Sequence, residues 1–254
     1  EKILAIDKEL PDVHALLAQI ELADENPAAA EKAIEKALRL NPEKSLYHLI
    51  RARILNAAGR PEEAEEALKT AVSMDPVPKN LKALAAFYQG RDNTAGAEKV
   101  LQTLVKKNPH QPSPYLDLAR FYIKNGKREM AEQSLLTAIE KDPDNASIRA
   151  FLANFYRSVR SPEKAEAAYQ EAIARAEDPA DIQALMADLY YVTGNPEKAY
   201  EQVKEVLDKR KQHPQASLVK AKLLIKDQKP GEALSILERL NREFPKWGEP
   251  HYYK

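Results

Sequence analysis

Apolar residues recur along this chain three or four positions apart, and the clusters they form repeat. Ala64, Leu68 and Ala71 mark one such stripe, and Ala131, Leu135 and Ala138 mark another, which is the spacing of an amphipathic helix. Ala30, Ala64, Ala97, Ala131, Ala165, Ala199 and Ala233 form a ladder with steps of 34, 33, 34, 34, 34 and 34 residues. Twelve residues before each rung stands a second alanine: Ala18, Ala52, Ala85, Ala119, Ala153, Ala187 and Ala221. Alanine is about a seventh of the chain, so chance filling of all these slots has odds of about one in ten to the eleventh. The spacing therefore marks a structural unit, and each unit is predicted to be a pair of helices, A and B.

The punctuation agrees. Breaks between paired helices are predicted at Glu25-Asn26-Pro27, Gly59-Arg60-Pro61, Asn125-Gly126-Lys127, Arg160-Ser161-Pro162, Gly194-Asn195-Pro196 and Lys229-Pro230. Glycine suits the left-handed residue after helix A, and proline is tolerated in the first turn of helix B. Helix B is predicted to stop at Asn41-Pro42, Asp75-Pro76, Asn108-Pro109, Asp142-Pro143, Asp178-Pro179, His213-Pro214 and Phe244-Pro245, because a residue before proline is pushed out of the helical region. From Ala165 and Ala199 the next stop proline lies 14 and 15 residues on, against 12 in the other units. The alanines keep their period through this drift, which implies that close helix packing sets the repeat and the turns do not.

These two ladders resemble the tetratricopeptide repeat family, over essentially the whole chain. The tyrosines Tyr88, Tyr122, Tyr156 and Tyr190, the apolar series Ile34, Leu68, Leu101, Leu135, Tyr169, Val203 and Leu237, and the terminal prolines complete the likeness. The family's small glycine in helix A is alanine here, and its tryptophan slot holds His14, His48, Leu81, Tyr115, Arg149, Gln183 and Ser217. The resemblance implies an all-α fold, a right-handed α-solenoid (superhelix) of antiparallel helix pairs with about seven complete units. One solenoid is expected over residues 1–254: the end of a preceding helix B over 1–10, seven complete units over 12–245, and the start of a further helix A over 246–254. Ends cut in this way would leave apolar surface without a cap, so end-to-end self-stacking is expected. Long divergent arrays of this style also point to bacterial envelope and secretion proteins, tetratricopeptide lipoproteins among them.

Composition narrows the chemistry. With no cysteine among the 254 residues, disulfides, thiolate metal sites and thiol catalysis are excluded. No apolar run is long enough to span a bilayer, so no membrane insertion is expected of this chain. His14, His48, His110, His213 and His251 lack the spacing of a zinc hydrolase and read as surface or packing residues. Gly126-Lys127 has no glycine five residues upstream, as a phosphate loop needs. Asp142, Asp144 and Asn145 lack the glycine and distal glutamate of a calcium loop. No catalytic residue, metal or cofactor is expected, and no enzyme.

Binding remains. The 39 basic and 39 acidic residues cancel, but unevenly by helix. The A segments 45–58, 78–91, 112–126 and 146–160 carry +2, +3, +1 and +3, whereas the B segments that follow them carry −4, +2, −2 and −3. The A segments 12–25 and 180–193 carry −4 and −2. The family resemblance implies that helix A lines an inner, concave wall, which would then be basic. Stepping along that wall selects Leu49, Arg53 and Asn56, then Lys82 and Gln89, then Leu116, Arg120 and Ile123. Asn154 and Arg157, Asp188 and Tyr191, and Leu218, Lys222 and Ile225 follow. Cations and amides beside aliphatic residues suit a protein or extended, acidic peptide; the alternative is a set of ordinary solvated helix positions. The clamp by which some members hold chaperone carboxylates is missing, since Ala86 follows Lys82 and Ala150 precedes Asn154 at the required distance. An accessory array that positions substrate for an enzyme or export machine is a second reading. RNA binding ranks below both, because nucleic acid readout would need one recurring polar pair in every repeat.

Overall fold

The computed structural model describes residues 10–248 and Tyr253. The expected helix end before residue 10 falls outside the described residues, as do His251, Tyr252 and most of the expected further helix A. Among the described residues there are fourteen α-helices and no strand. The chain falls into two compact units, one ending at His110 and one starting at Gln111.

Unit 1 contains three helix pairs: α1 (Pro11–Ala23) with α2 (Pro27–Leu40), α3 (Ser45–Ala57) with α4 (Pro61–Met74), and α5 (Pro78–Gly90) with α6 (Thr94–Lys107). Unit 2 contains four: α7 (Pro112–Lys124) with α8 (Arg128–Lys141), α9 (Ala146–Ser158) with α10 (Pro162–Ile173), α11 (Ala180–Val192) with α12 (Pro196–Lys209), and α13 (Pro214–Lys226) with α14 (Pro230–Glu243). Odd-numbered helices are the A helices and even-numbered ones the B helices.

All fourteen ladder alanines are buried, eleven of them with no exposed surface at all. They mark where helix axes approach most closely, so a larger side chain there would overpack the seam. Each A helix ends in the same way. A residue with positive φ follows it, and the next amide donates to the carbonyl five residues back: Asn26 to Glu21, Arg60 to Leu55, Asn93 to Tyr88, Lys127 to Tyr122, Ser161 to Tyr156, Asn195 to Tyr190 and Lys229 to Leu224, all at 2.8–2.9 Å. This is the Schellman arrangement. Glycine holds the left-handed position at Gly59, Gly126 and Gly194, but Glu25, Asp92, Arg160 and Gln228 adopt it in the other repeats, against the expectation of glycine. The recurring hydrogen bond there outweighs a steric cost of about 1 kcal/mol.

The B helices stop one residue before the pre-proline position at Leu40, Met74, Lys107 and Lys141. Asn41, Asp75, Asn108 and Asp142 have φ between −148° and −133°, as the proline ring demands. Two stops differ from the expectation. α10 ends at Ile173, five residues before Asp178, so the extra residues of that repeat lengthen a loop. Pro214 is the first residue of α13 and serves as a helix start.

A second rung ties three of the B helices, α4, α8 and α10, to the next A helix. The Tyr88, Tyr156 and Tyr190 hydroxyls donate to Glu65, Glu132 and Glu166 at 2.9, 2.7 and 2.8 Å. Each glutamate stands one residue after a ladder alanine. Lys164 and Lys198 donate to Glu132 and Glu166 at 2.9 and 3.0 Å and lie 5.1 and 5.0 Å from the ring centres of Tyr156 and Tyr190. Burial, helped by the adjacent carboxylates, pushes both phenols up to about 12. Leu55 fills the tyrosine position of α3, and Arg60 reaches Glu31 instead at 2.7 and 2.9 Å.

Candidate functional site

In unit 1 a groove of about 390 Å³ opens between α3 and α5. Its floor is apolar, made by Leu46, Leu49, Ile50, Leu68, Ala83 and Phe87, and its polar rim is Gln19, Arg53, Asn56 and Lys79. Leu49 is 7% exposed, while Arg53, Asn56 and Lys79 are open to solvent. Three residues selected from sequence, Leu49, Arg53 and Asn56, therefore share one space. Lys82 and Gln89 are half-buried and do not line it. Where α5 meets α3 it presents the stripe Lys79, Ala83 and Phe87, rotated from the one selected in sequence. The rotation of a helix about its own axis within a pair is a packing outcome and leaves no mark in a charge count.

The A face of unit 2 has a different character. Arg157 of α9 donates to Asp188 of α11 at 2.9 Å, and Lys222 of α13 donates to the other oxygen of the same carboxylate at 3.0 Å. Lys222 is 4% exposed. Its ammonium lies 6.0 Å from the ring centre of Tyr191 and 5.2 Å from that of Tyr253. Asn154 accepts a 2.8 Å hydrogen bond from the buried hydroxyl of Tyr169, and burial pushes that phenol up to about 12. Arg120 stands over the ring of Phe151 at 5.2 Å and donates to Asp117 at 3.4 Å. Leu116 and Ile123, also selected from sequence, are half-buried on α7.

Several cations in the helix-by-helix count are thus already matched by carboxylates. Of the cations in the α9 segment, Arg149 is buried and bonds Glu171 of α10 at 3.2 Å, Arg160 sits in the turn, and Arg157 is matched by Asp188. Arg149 belongs to a second series that sequence spacing alone did not interpret. In the family's tryptophan slot, Arg149, Gln183 and Ser217 hydrogen-bond to Glu171, Glu205 and Arg239 of their paired B helices. Each partner lies six residues beyond a ladder alanine, a regularity that could have revealed it.

Among the described residues no three His, Asp or Glu side chains gather in a way that could hold a metal ion. His213 caps α13, its Nδ1 accepting from the Ala216 amide at 3.3 Å while Nε2 lies 2.9 Å from Asp181. Asn145 caps α9 and donates to Asp142 at 2.8 Å, the chemistry of an ordinary turn. No described helix is long and apolar enough to cross a membrane.

Antiparallel helix pairs, a buried alanine seam and a left-handed turn after every A helix define a helical-repeat protein. Tetratricopeptide repeat profiles match residues 16–79, 55–114 and 88–155, more than half of the chain, and a profile for anaphase-promoting complex, cyclosome, subunit 3 matches 159–240. The chain belongs to the tetratricopeptide repeat family, whose members act as protein-interaction scaffolds. No curated protein sequence matches it. Solved structures share the fold. A tetratricopeptide repeat protein from Parabacteroides merdae is 16% identical, with a TM-score of 0.61 over 97% of this chain and 98% of that one. PilW, described as a widely conserved type IV pilus biogenesis factor, is 21% identical, with a TM-score of 0.55 over 82% and 97%. PilF of Pseudomonas aeruginosa is 16% identical, with a TM-score of 0.52 over 84% and 97%.

Proposed function

We propose that this chain is a non-enzymatic scaffold that binds a protein or extended, acidic peptide along the exposed faces of its A helices. The α3–α5 groove carries this reading. Its apolar floor has cations and amides only at the rim, so it offers desolvation to a side chain and charge-assisted hydrogen bonds to acidic groups. A fluorophore-labelled, capped peptide of alternating glutamate and phenylalanine provides the test, with a lysine-and-phenylalanine peptide and a single-stranded RNA as comparisons. Saturable anisotropy changes with the acidic peptide alone, weakening as salt rises, are the expected result. Equal binding of the basic peptide, or stronger binding of the RNA, would overturn it.

The same reading gives the end of unit 1 to a second copy of the chain. Leu16 and Ile20 of α1 are 45% and 41% exposed. They stand two residues either side of ladder alanine Ala18, as Ala83 and Phe87 do around Ala85, and would stack on a neighbouring A helix. Light scattering should show concentration-dependent association that Leu16→Glu abolishes; a monomer at every concentration would refute it.

A further inference from the structure

Two pairs of A-face cations, one in each unit, are treated in opposite ways. In unit 1, Arg53 and Lys79 enter one groove from different helices, and neither has a hydrogen bond or ion pair among the described residues. No carboxylate stands one helical turn from Arg53, whose neighbours there are Leu49, Ile50, Asn56 and Ala57. Lys79 occupies the first turn of α5, where the helix dipole disfavours a cation, so local energetics give no reason for it. In unit 2, Arg157 and Lys222 likewise converge from different helices, but the space between them is filled by the carboxylate of Asp188.

Granting the reading in which a peptide lies on the A helices, we infer that the α3–α5 groove is an open seat for an acidic segment. In unit 2 Asp188 takes up both Arg157 and Lys222 and acts as an internal substitute for a ligand carboxylate. The ligand class follows from the groove. A large apolar side chain fills the floor over Leu46, Leu49, Ile50 and Phe87, and an aspartate or glutamate beside it in the peptide meets Arg53 and Lys79. The planar guanidinium of Arg53 can take both oxygens of a carboxylate, whereas a basic peptide would bring like charges together at the rim. Asp188 thereby becomes a specificity-determining residue, since it withholds Arg157 and Lys222 from acidic ligands.

Isothermal titration of the full chain with the glutamate and phenylalanine peptide tests this. The unmodified chain should bind at one site. Arg53→Glu with Lys79→Glu, both exposed positions, should weaken binding by at least about tenfold. Asp188→Ala should raise the stoichiometry from one site to two, because Arg157 and Lys222 then lack their internal carboxylate. Two sites on the unmodified chain, undiminished affinity in the double charge reversal, or a folded Asp188→Ala chain with one site would each overturn the assignment. The charge reversal tests the α3–α5 seat by itself, and Asp188→Asn, which keeps the shape and removes the charge, takes the place of Asp188→Ala with the same expected and overturning results where that chain does not fold. Complete absence of binding by the unmodified chain would instead overturn the peptide reading on which the inference rests.

Discussion

Replacing Asp188 with alanine is expected to destabilise unit 2 by about 3 kcal/mol. Its carboxylate is shared by two cations of very different exposure, with side chains 35% exposed for Arg157 and 5% for Lys222, and is itself 13% exposed. Removing one partner of a buried ion pair costs about 3–5 kcal/mol, because a charge is left without compensation. Arg157 can turn to water and contributes little to that cost, and Lys222 keeps its contacts with the rings of Tyr191 and Tyr253, so the loss falls at the lower end. Trp247, the only tryptophan, packs against the cluster formed by α13 and α14, so its fluorescence in a urea titration reports on unit 2. Lys222→Met alone should cost under about 1 kcal/mol, since Asp188 keeps Arg157 and the apolar replacement suits a buried position. Added to Asp188→Ala, it should restore most of the loss, giving a coupling energy of about 2 kcal/mol. Acetate, small enough to enter the vacated space, should recover part of the stability of the single variant. A loss below about 1 kcal/mol for Asp188→Ala, or no recovery on adding Lys222→Met, would refute the claim that Lys222 depends on this carboxylate.

Other variants probe the scaffold. Tyr156→Phe, which removes the donor to Glu132, should cost about 1 kcal/mol in urea denaturation, and an unchanged midpoint would discount the rung. Glu132 and Glu166 are held below the usual carboxylate range, the first chiefly by Lys164 and then Tyr156, the second chiefly by Tyr190. Their contribution is therefore complete above the ordinary value of about 4.3 and disappears as pH falls through the depressed folded value; acid unfolding of Glu132→Gln should show a shallower dependence below about pH 4. Ala131→Leu at a fully buried rung should cost about 1–3 kcal/mol by overpacking, whereas Ala58→Leu at an exposed helix end should leave the thermal midpoint nearly unchanged. Gln228→Gly, at φ 59°, should raise that midpoint by relieving about 1 kcal/mol of steric cost.

Much of the local architecture is legible in the chain itself. The ladder alanines placed every seam, and Pro27, Pro61, Pro162, Pro196 and Pro230 each open a B helix as expected. The departures occur where two solutions cost nearly the same. Glu25, Asp92, Arg160 and Gln228 take a conformation expected of glycine because the turn's hydrogen bonds hold them there. The longer spacing after Ala165 resolves into a loop because α10 has already satisfied its seam by Ala172, which has no exposed surface. For the candidate site, spacing found Leu49, Arg53 and Asn56 on one helix but missed Lys79 and Phe87 opposite them, since it carries no information on how α5 is rotated against α3.

Sequence by itself determined the period, the pairing of helices, most of their ends and the positions where backbones come closest. Those properties depend on residues a few places apart, or on small side chains recurring at one fixed interval, and both are written along the chain. Tertiary structure alone decided which charges are open and which are matched. Arg157 and Lys222 lie 31 and 34 residues from the carboxylate they share, and Arg53 meets Lys79 only across a groove. Charge is counted along the chain, but its energy depends on distance and solvent access, which neighbouring helices set when they pack.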